Sequence, residues 1–296
     1  MSSRELITDS VPALAGTLHL PASRPLATVL MVPGSGPSDR DNDVYFPPIR
    51  AGLLSAGIAV ASFDKRGVGG SAGDWHETDP DRQAADVAAQ AACVAQAAGV
   101  DGSTLGLFGH SQGGWVVLDV AAADPTIAFV VTNSGPGVSW ATQGRYATEA
   151  GLIDGGADRE AIERSLAAYD EVVELIRDGA DVDAIQGALA AGPPVPGAPT
   201  DPAELALSRA WLDHDPRDSI GRITCPLLAL FGSADRLVPV HESVAVFREA
   251  RAGQPGALTV EIVPGADHRL RTGDPPTLHA GYGTFLTDWI LRVVAL

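Results

Sequence analysis

The sequence of 296 residues is 45% hydrophobic and 19% charged, carries a formal charge of −17 and contains two cysteines. The apolar share excludes a disordered chain, and the acidic balance disfavours nucleic acid and anionic membrane surfaces as partners. Of 20 basic residues only Lys65 is a lysine, so any Schiff-base or phosphate-cradling chemistry would have to run through it, and its neighbours in sequence suggest neither.

Residues 4–20 alternate in short segments broken by Pro12 and Gly16, the pattern of an antiparallel hairpin at a sheet edge. Short apolar runs follow at 26–32, 58–63, 104–109, 126–131, 226–232 and 258–263, each reading as a strand buried on both faces of a parallel sheet. Between and after them helices are predicted at about 46–56, 81–98, 112–123, 241–250 and 278–294. The second has Asp79 as its N-cap, Pro80 at its first position and Gly99 just past its end. The last repeats Phe285, Trp289 and Val293 every four residues as an apolar stripe. Strand and helix alternate, so the fold class is α/β. The alternation breaks between 138 and 213, where 165–180 is an amphipathic helix and 187–202 a Pro/Gly/Ala-rich connector. The expected organisation is a core of 1–137 and 214–296 with a helical cap at 138–213 inserted into it.

Cys93 and Cys225 read as small buried thiols, with no paired spacing for zinc. The start, MSSRELITDS, lacks a basic segment followed by an apolar one, and no stretch of about 18 apolar residues occurs, so a cytoplasmic protein is expected.

The pattern GxSxG, which seats a serine on a sharp strand-to-helix turn, occurs twice. GGSAG at 69–73 surrounds Ser71, several residues past a strand and with no helix opening behind it. GHSQG at 109–113 is entered directly from the strand TLGLF and left directly into the helix GWVVLDVAAAD, so context selects Ser111 as the nucleophile. GVGGSA at 67–72 also fits a dinucleotide fingerprint, but the next helix begins about ten residues later, which removes the phosphate-binding helix end the fingerprint needs.

A serine hydroxyl needs a histidine to take its proton and an acid to orient that imidazole. Functional groups in open parallel sheets gather at the carboxyl ends of strands. Of seven histidines, His268 sits in a loop after a late strand, and Asp235 follows PLLALFG directly. The order Ser111, Asp235, His268 suits this topology although 124 and then 33 positions separate them. Rival acids are Asp267, badly placed beside the base, and Asp213 or Asp215 at the end of the cap. Two backbone N–H groups should hold the oxyanion: that of Gln112, just after the nucleophile, and that of Ser35 in the loop PGSGPSDRDN at 33–42. In FDKRGVGGSAGDW at 63–75, an Asp64–Arg66 ion pair is expected to fix the loop beside the pocket.

With GHSQGG, SADRLVP and GADH in place, the chain resembles the α/β-hydrolase superfamily over nearly its whole length, and PGSGPSDRD with DKRGVGGS resembles its esterase and acyl-thioesterase branches. The resemblance implies an eight-stranded, mostly parallel sheet, a cap after the sixth strand, no cofactor, and nucleophile, acid and base on Ser111, Asp235 and His268. The sequence departs from the family in having Pro33-Gly34 where His-Gly is usual, and the HGGG subgroup motif is not matched. Serine at 111 disfavours epoxide hydrolases and haloalkane dehalogenases, which need an acid there.

The expected reaction is hydrolysis of a carboxylic ester through an acyl-enzyme, with a small-molecule acyl ester or thioester as substrate. Thioesterase, amidase and peptidase activities on the same residues stay open. A non-catalytic ligand-binding protein on this scaffold is the alternative of another class, and its sign would be a missing triad residue.

Overall fold

The computed structural model describes every residue except 98, 191 and 296. Eight strands form one sheet: β1 (Ser2–Ile7), β2 (Ala15–Leu20), β3 (Ala27–Val32), β4 (Ile58–Phe63), β5 (Leu105–His110), β6 (Val130–Asn133), β7 (Leu227–Gly232) and β8 (Leu258–Val263), in the order β1-β2-β4-β3-β5-β6-β7-β8. β2 runs antiparallel to both β1 and β4, and every other neighbour is parallel. The expected edge hairpin is therefore β1–β2, and the apolar runs form the parallel sheet.

Their continuous hydrophobicity follows from the two-residue period of a strand covered on both sides. In β3, Leu30 and Val32 face one core while Ala27, Val29 and Met31 face the other. In β7, Leu227, Ala229 and Phe231 alternate with Leu228 and Leu230 in the same way. The first core is closed by α2 (Pro80–Gln96), α3 (Gln112–Ala123) and α9 (Val240–Ala250), and the second by α1 (Phe46–Ser55) and α10 (Tyr282–Val294). α2 starts as expected, with Asp79 accepting from the Arg82 N–H and Pro80 in the first turn. It ends at Gln96, and the expected last residue, 98, lies outside those described.

The helix expected at 165–180 starts earlier, at Arg159, and two boundaries of the sheet domain are shifted as well. β6 starts at Val130, and the first residues of the expected run turn rather than extend, Asp124 accepting from the N–H and hydroxyl of Thr126. α10 starts at Tyr282, because Thr277–Leu278 instead pairs with Arg271–Thr272 as a short hairpin.

Between β6 and β7 the chain forms α4 (Trp140–Asp154), α5 (Arg159–Arg177), α6 (Val182–Leu189) and α7 (Pro202–Trp211), then α8 (Arg217–Arg222). The first four begin at Ser139, Asp158, Asp181 and Asp201, each side chain accepting a backbone N–H of the first turn. Part of the acidity of the chain is thus spent at helix starts, where carboxylates also suit the helix dipole. These helices share an apolar core of their own around Tyr169, Val172, Ile176, Ile185 and Leu205. Trp211 ties them to the sheet domain: its indole N–H donates to Thr78 O at 2.8 Å and its ring stacks on Trp115 at 5.8 Å. No helix among the described residues is long and apolar enough to cross a membrane.

Candidate active site

The turn from β5 into α3 carries Ser111 at φ 53°, ψ −124°, a left-handed conformation that costs a non-glycine residue about 1–3 kcal/mol and persists only where its surroundings enforce it. The surroundings here are close-packed backbone. A Cβ on Gly109 would lie 2.2 Å from Gly113 O, and one on Gly113 would lie 2.5 Å from Val32 O, so both motif glycines are required by contact. The Ser111 N–H donates to Asn133 O at 3.0 Å and fixes the turn to β6. The other GxSxG serine has a different part: the Ser71 hydroxyl donates to Asp64 O and accepts from the Ala15 N–H, stitching a loop to β2.

Asp235 lies at the end of β7 with its carboxylate fully buried. Oδ1 accepts the N–H groups of Leu237 at 2.8 Å and Val238 at 3.0 Å, and Oδ2 stands 2.8 Å from Nδ1 of His268. This leaves Nε2 as the free edge of the His268 ring. His110, the chain neighbour of Ser111, places its ring 5.1 Å from that of His268, so the His268 ring packs beside the turn that carries Ser111. The rival acids are engaged elsewhere. Asp267 binds Arg271, Asp213 binds Arg177, and Asp215 accepts the N–H of Arg217.

His110 is itself buried, and burial pushes its pKa well down, so it is a neutral ring. It meets Asn133, whose amide donates to the Tyr45 hydroxyl at 3.1 Å and accepts from the Tyr282 hydroxyl at 2.8 Å. Burial raises both tyrosines. An uncharged hydrogen-bonded layer therefore lies under the elbow.

The loop after β3 passes directly over the serine: a Cβ on Gly34 would stand 3.3 Å from Ser111 Cβ. The N–H of Ser35, next in this loop, has no hydrogen-bond partner among the described residues. Gln112 opens α3, where a helix leaves its first N–H groups unpaired. Lys65 lies behind this loop, buried, with Nζ 2.5 Å from Gly34 O and 3.3 Å from Gln112 Oε1 and over the Trp75 ring at 5.2 Å. Burial pushes its ammonium down to about 7.

The expected Asp64–Arg66 pair does not form. Asp64 takes Arg40 in a two-pronged contact at 3.0 and 2.7 Å, with the Arg40 and Gly70 N–H groups added. Burial would raise its carboxyl, yet these donors together hold it below its ordinary value. Arg66 turns to Asp86 on α2 at 3.0 and 2.6 Å. Each of the two charges finds its partner on another segment instead, Asp64 in the loop after β3 and Arg66 on α2.

Helix α4 is fastened to the loop that carries Asp235. The Tyr146 hydroxyl donates to Asp235 O at 2.9 Å, Gln143 Nε2 donates to Leu237 O at 2.9 Å, and Arg236 pairs with Asp154 at 2.8 Å. Beside this strap lies an apolar cavity of about 550 Å³, lined by Trp140, Thr148, Tyr169, Val172, Val195 and Leu237 among others. Leu237, whose N–H binds the Asp235 carboxylate, links it to the acid loop.

The sequence matches the family model described as serine aminopeptidase, S33, over residues 24–275. The chain belongs to this family of α/β hydrolases. Among solved structures, DcsB in complex with its substrate analogue superposes with a TM-score of 0.66 at 18% identity, covering 99% of this chain and 98% of that one. The Pyrococcus furiosus esterase Pf2001 gives 0.66 at 19% identity over 98% and 90% of the two chains. Proline iminopeptidase of Mycobacterium smegmatis gives 0.62 at 17% over 99% of each. At such identities the likeness speaks to the fold. No curated protein is similar enough in sequence to count as a relative.

Proposed function

We propose that the protein hydrolyses a small-molecule carboxylic ester through an acyl-enzyme on Ser111. The observation that carries this reading is the buried Asp235 carboxylate bound to Nδ1 of His268, with that ring packed against the serine elbow. Held in this tautomer, His268 presents Nε2 as the base. Nε2 takes the proton of Ser111 as Oγ attacks the ester carbonyl, and returns it to the departing alcohol as the tetrahedral intermediate collapses. Water then attacks the acyl-enzyme with the same base, and the acid leaves. The N–H groups of Ser35 and Gln112 receive the oxyanion, whose charge develops where donors are already in place.

The cavity beside α4 favours an apolar acyl or alcohol group, and its 550 Å³ falls in the range of small-molecule pockets. In this reading α4–α7 act as the cap. A peptidase on the same residues is the second reading, favoured by the family description. An aminopeptidase needs a carboxylate near the site to hold the substrate ammonium, and none of the described residues lining this cavity is acidic.

The test is a panel of p-nitrophenyl esters, matched thioesters and amino-acid p-nitroanilides, with Ser111→Ala as control. Ester turnover should exceed anilide turnover, and Ser111→Ala should lower kcat on the order of 10⁴-fold or more. Unchanged ester hydrolysis in Ser111→Ala sinks the assignment, and faster anilide cleavage replaces it with the peptidase.

A further inference from the structure

We propose that Lys65 is the positioning residue of the oxyanion site, one buried ammonium that sets both backbone N–H groups expected to receive the oxyanion. The inference rests on the serine-hydrolase reading above and concerns how its electrostatic half is held.

The carbonyl of Gly34 and the N–H of Ser35 belong to one peptide unit. In a planar trans peptide these two groups point in opposite directions. Cis bonds among the described residues occur only at Val11-Pro12 and Asp274-Pro275, so this unit is trans. A lysine that fixes Gly34 O at 2.5 Å from behind therefore fixes the direction of the Ser35 N–H on the far side, where Gly34 closes on Ser111. Hydrogen bonding at the carbonyl also polarises the peptide and strengthens its N–H as a donor. The same ammonium reaches the Gln112 side chain at 3.3 Å, and the Gln112 backbone supplies the other donor. One cation thus joins two segments, Ser35 and Gln112 being 77 positions apart in sequence, each bearing one of the two donors.

The surroundings of Lys65 argue that stability is not its purpose. Its chain neighbours Asp64 and Arg66 are committed to Arg40 and Asp86. Its own partners are two neutral oxygens and the face of Trp75. Burying an ammonium without a carboxylate is costly, and an apolar side chain of the same length would be the more stable choice. Every other basic residue of the chain is arginine. Arginine carries a planar fork suited to paired carboxylate oxygens, whereas the compact ammonium can serve two oxygens on different segments.

Lys65→Met keeps the stem and removes the charge. With p-nitrophenyl butyrate as probe, kcat is expected to fall on the order of 10- to 100-fold, less than outright loss of a donor. KM should stay within about twofold, as befits an interaction realised in the transition state. Tm should be unchanged or higher. Lys65→Gln, which keeps one neutral donor, should fall between the two proteins. A kcat within about twofold of wild type in Lys65→Met, or a Lys65→Gln no better than Lys65→Met, overturns the proposal. So does a lowered Tm in Lys65→Met, or failure of both variants to fold, because the lysine would then be holding structure. Ser111→Ala measured alongside separates the two readings: if it stays active, the serine-hydrolase reading has failed, and if it is dead while Lys65→Met is unimpaired, only the role of the lysine has.

Discussion

The two sides of the candidate site are satisfied very differently. Asp235 is buried with a full set of donors, two backbone N–H groups and an imidazole. Lys65 is buried with two neutral acceptors and a ring face. A carboxylate so well matched has one stable arrangement, which suits the task proposed for it, holding an imidazole in a single tautomer. An ammonium so poorly matched sits nearer its own balance point, and the loops it joins owe their alignment to a charge that burial opposes. The acid side is rigid by surplus; the lysine side is aligned at a cost.

The comparison breaks most visibly on the acid side. Asp235→Asn keeps the shape but offers the amide to Nδ1 and favours the wrong tautomer, so kcat should fall on the order of 10⁴-fold. Steady-state kinetics that lose less than about tenfold would place the orienting acid elsewhere.

On the lysine side the sharper measurement is stability against pH. An amine that titrates at about 7 when folded and at its ordinary value when unfolded holds fewer protons folded than unfolded between those points. It therefore costs most below about pH 7, and that cost is relieved as pH rises. Tm of Lys65→Met minus wild type should be largest in mild acid and shrink above about pH 7. A difference that stays constant from about pH 6 to 9 would contradict the burial described here.

The smallest effect expected is at the strap. Tyr146→Phe removes the hydrogen bond to Asp235 O and should cost about 1 kcal/mol in urea unfolding, with a few-fold loss in kcat and an unchanged denaturant slope. If kcat drops as far as in Asp235→Asn, the acid loop is less rigid than its donors imply.

The parallel sheet was legible because burial on both faces leaves continuous apolar runs, and the elbow because Gly109, Ser111 and Gly113 fall between a strand and a helix. That Asp235 and His268 would lie together followed from the rule that parallel strands deliver their carboxyl ends to one edge. The loops resisted. Asp64 and Arg66 stand two apart, which invited pairing them, yet their partners lie 24 and 20 positions away. Lys65 stood out in composition, but its contacts at Gly34 and Gln112 lie 31 and 47 positions off and involve one backbone oxygen that no motif encodes. No local pattern marks Trp140, whose place on a cavity depends on how α4 meets α5 and the 195–199 turn.

Lys65 is the only side-chain amine in the sequence, and it is buried. Amine-directed reagents therefore meet no lysine on the folded surface, and any modification of this residue requires the segments packed around it to part. The pKa lowered by burial belongs to the covered amine alone, so labelling follows opening most directly at alkaline pH, where the uncovered amine is also reactive. Its labelling rate becomes a clock for opening at that one place, read by mass without a probe being introduced.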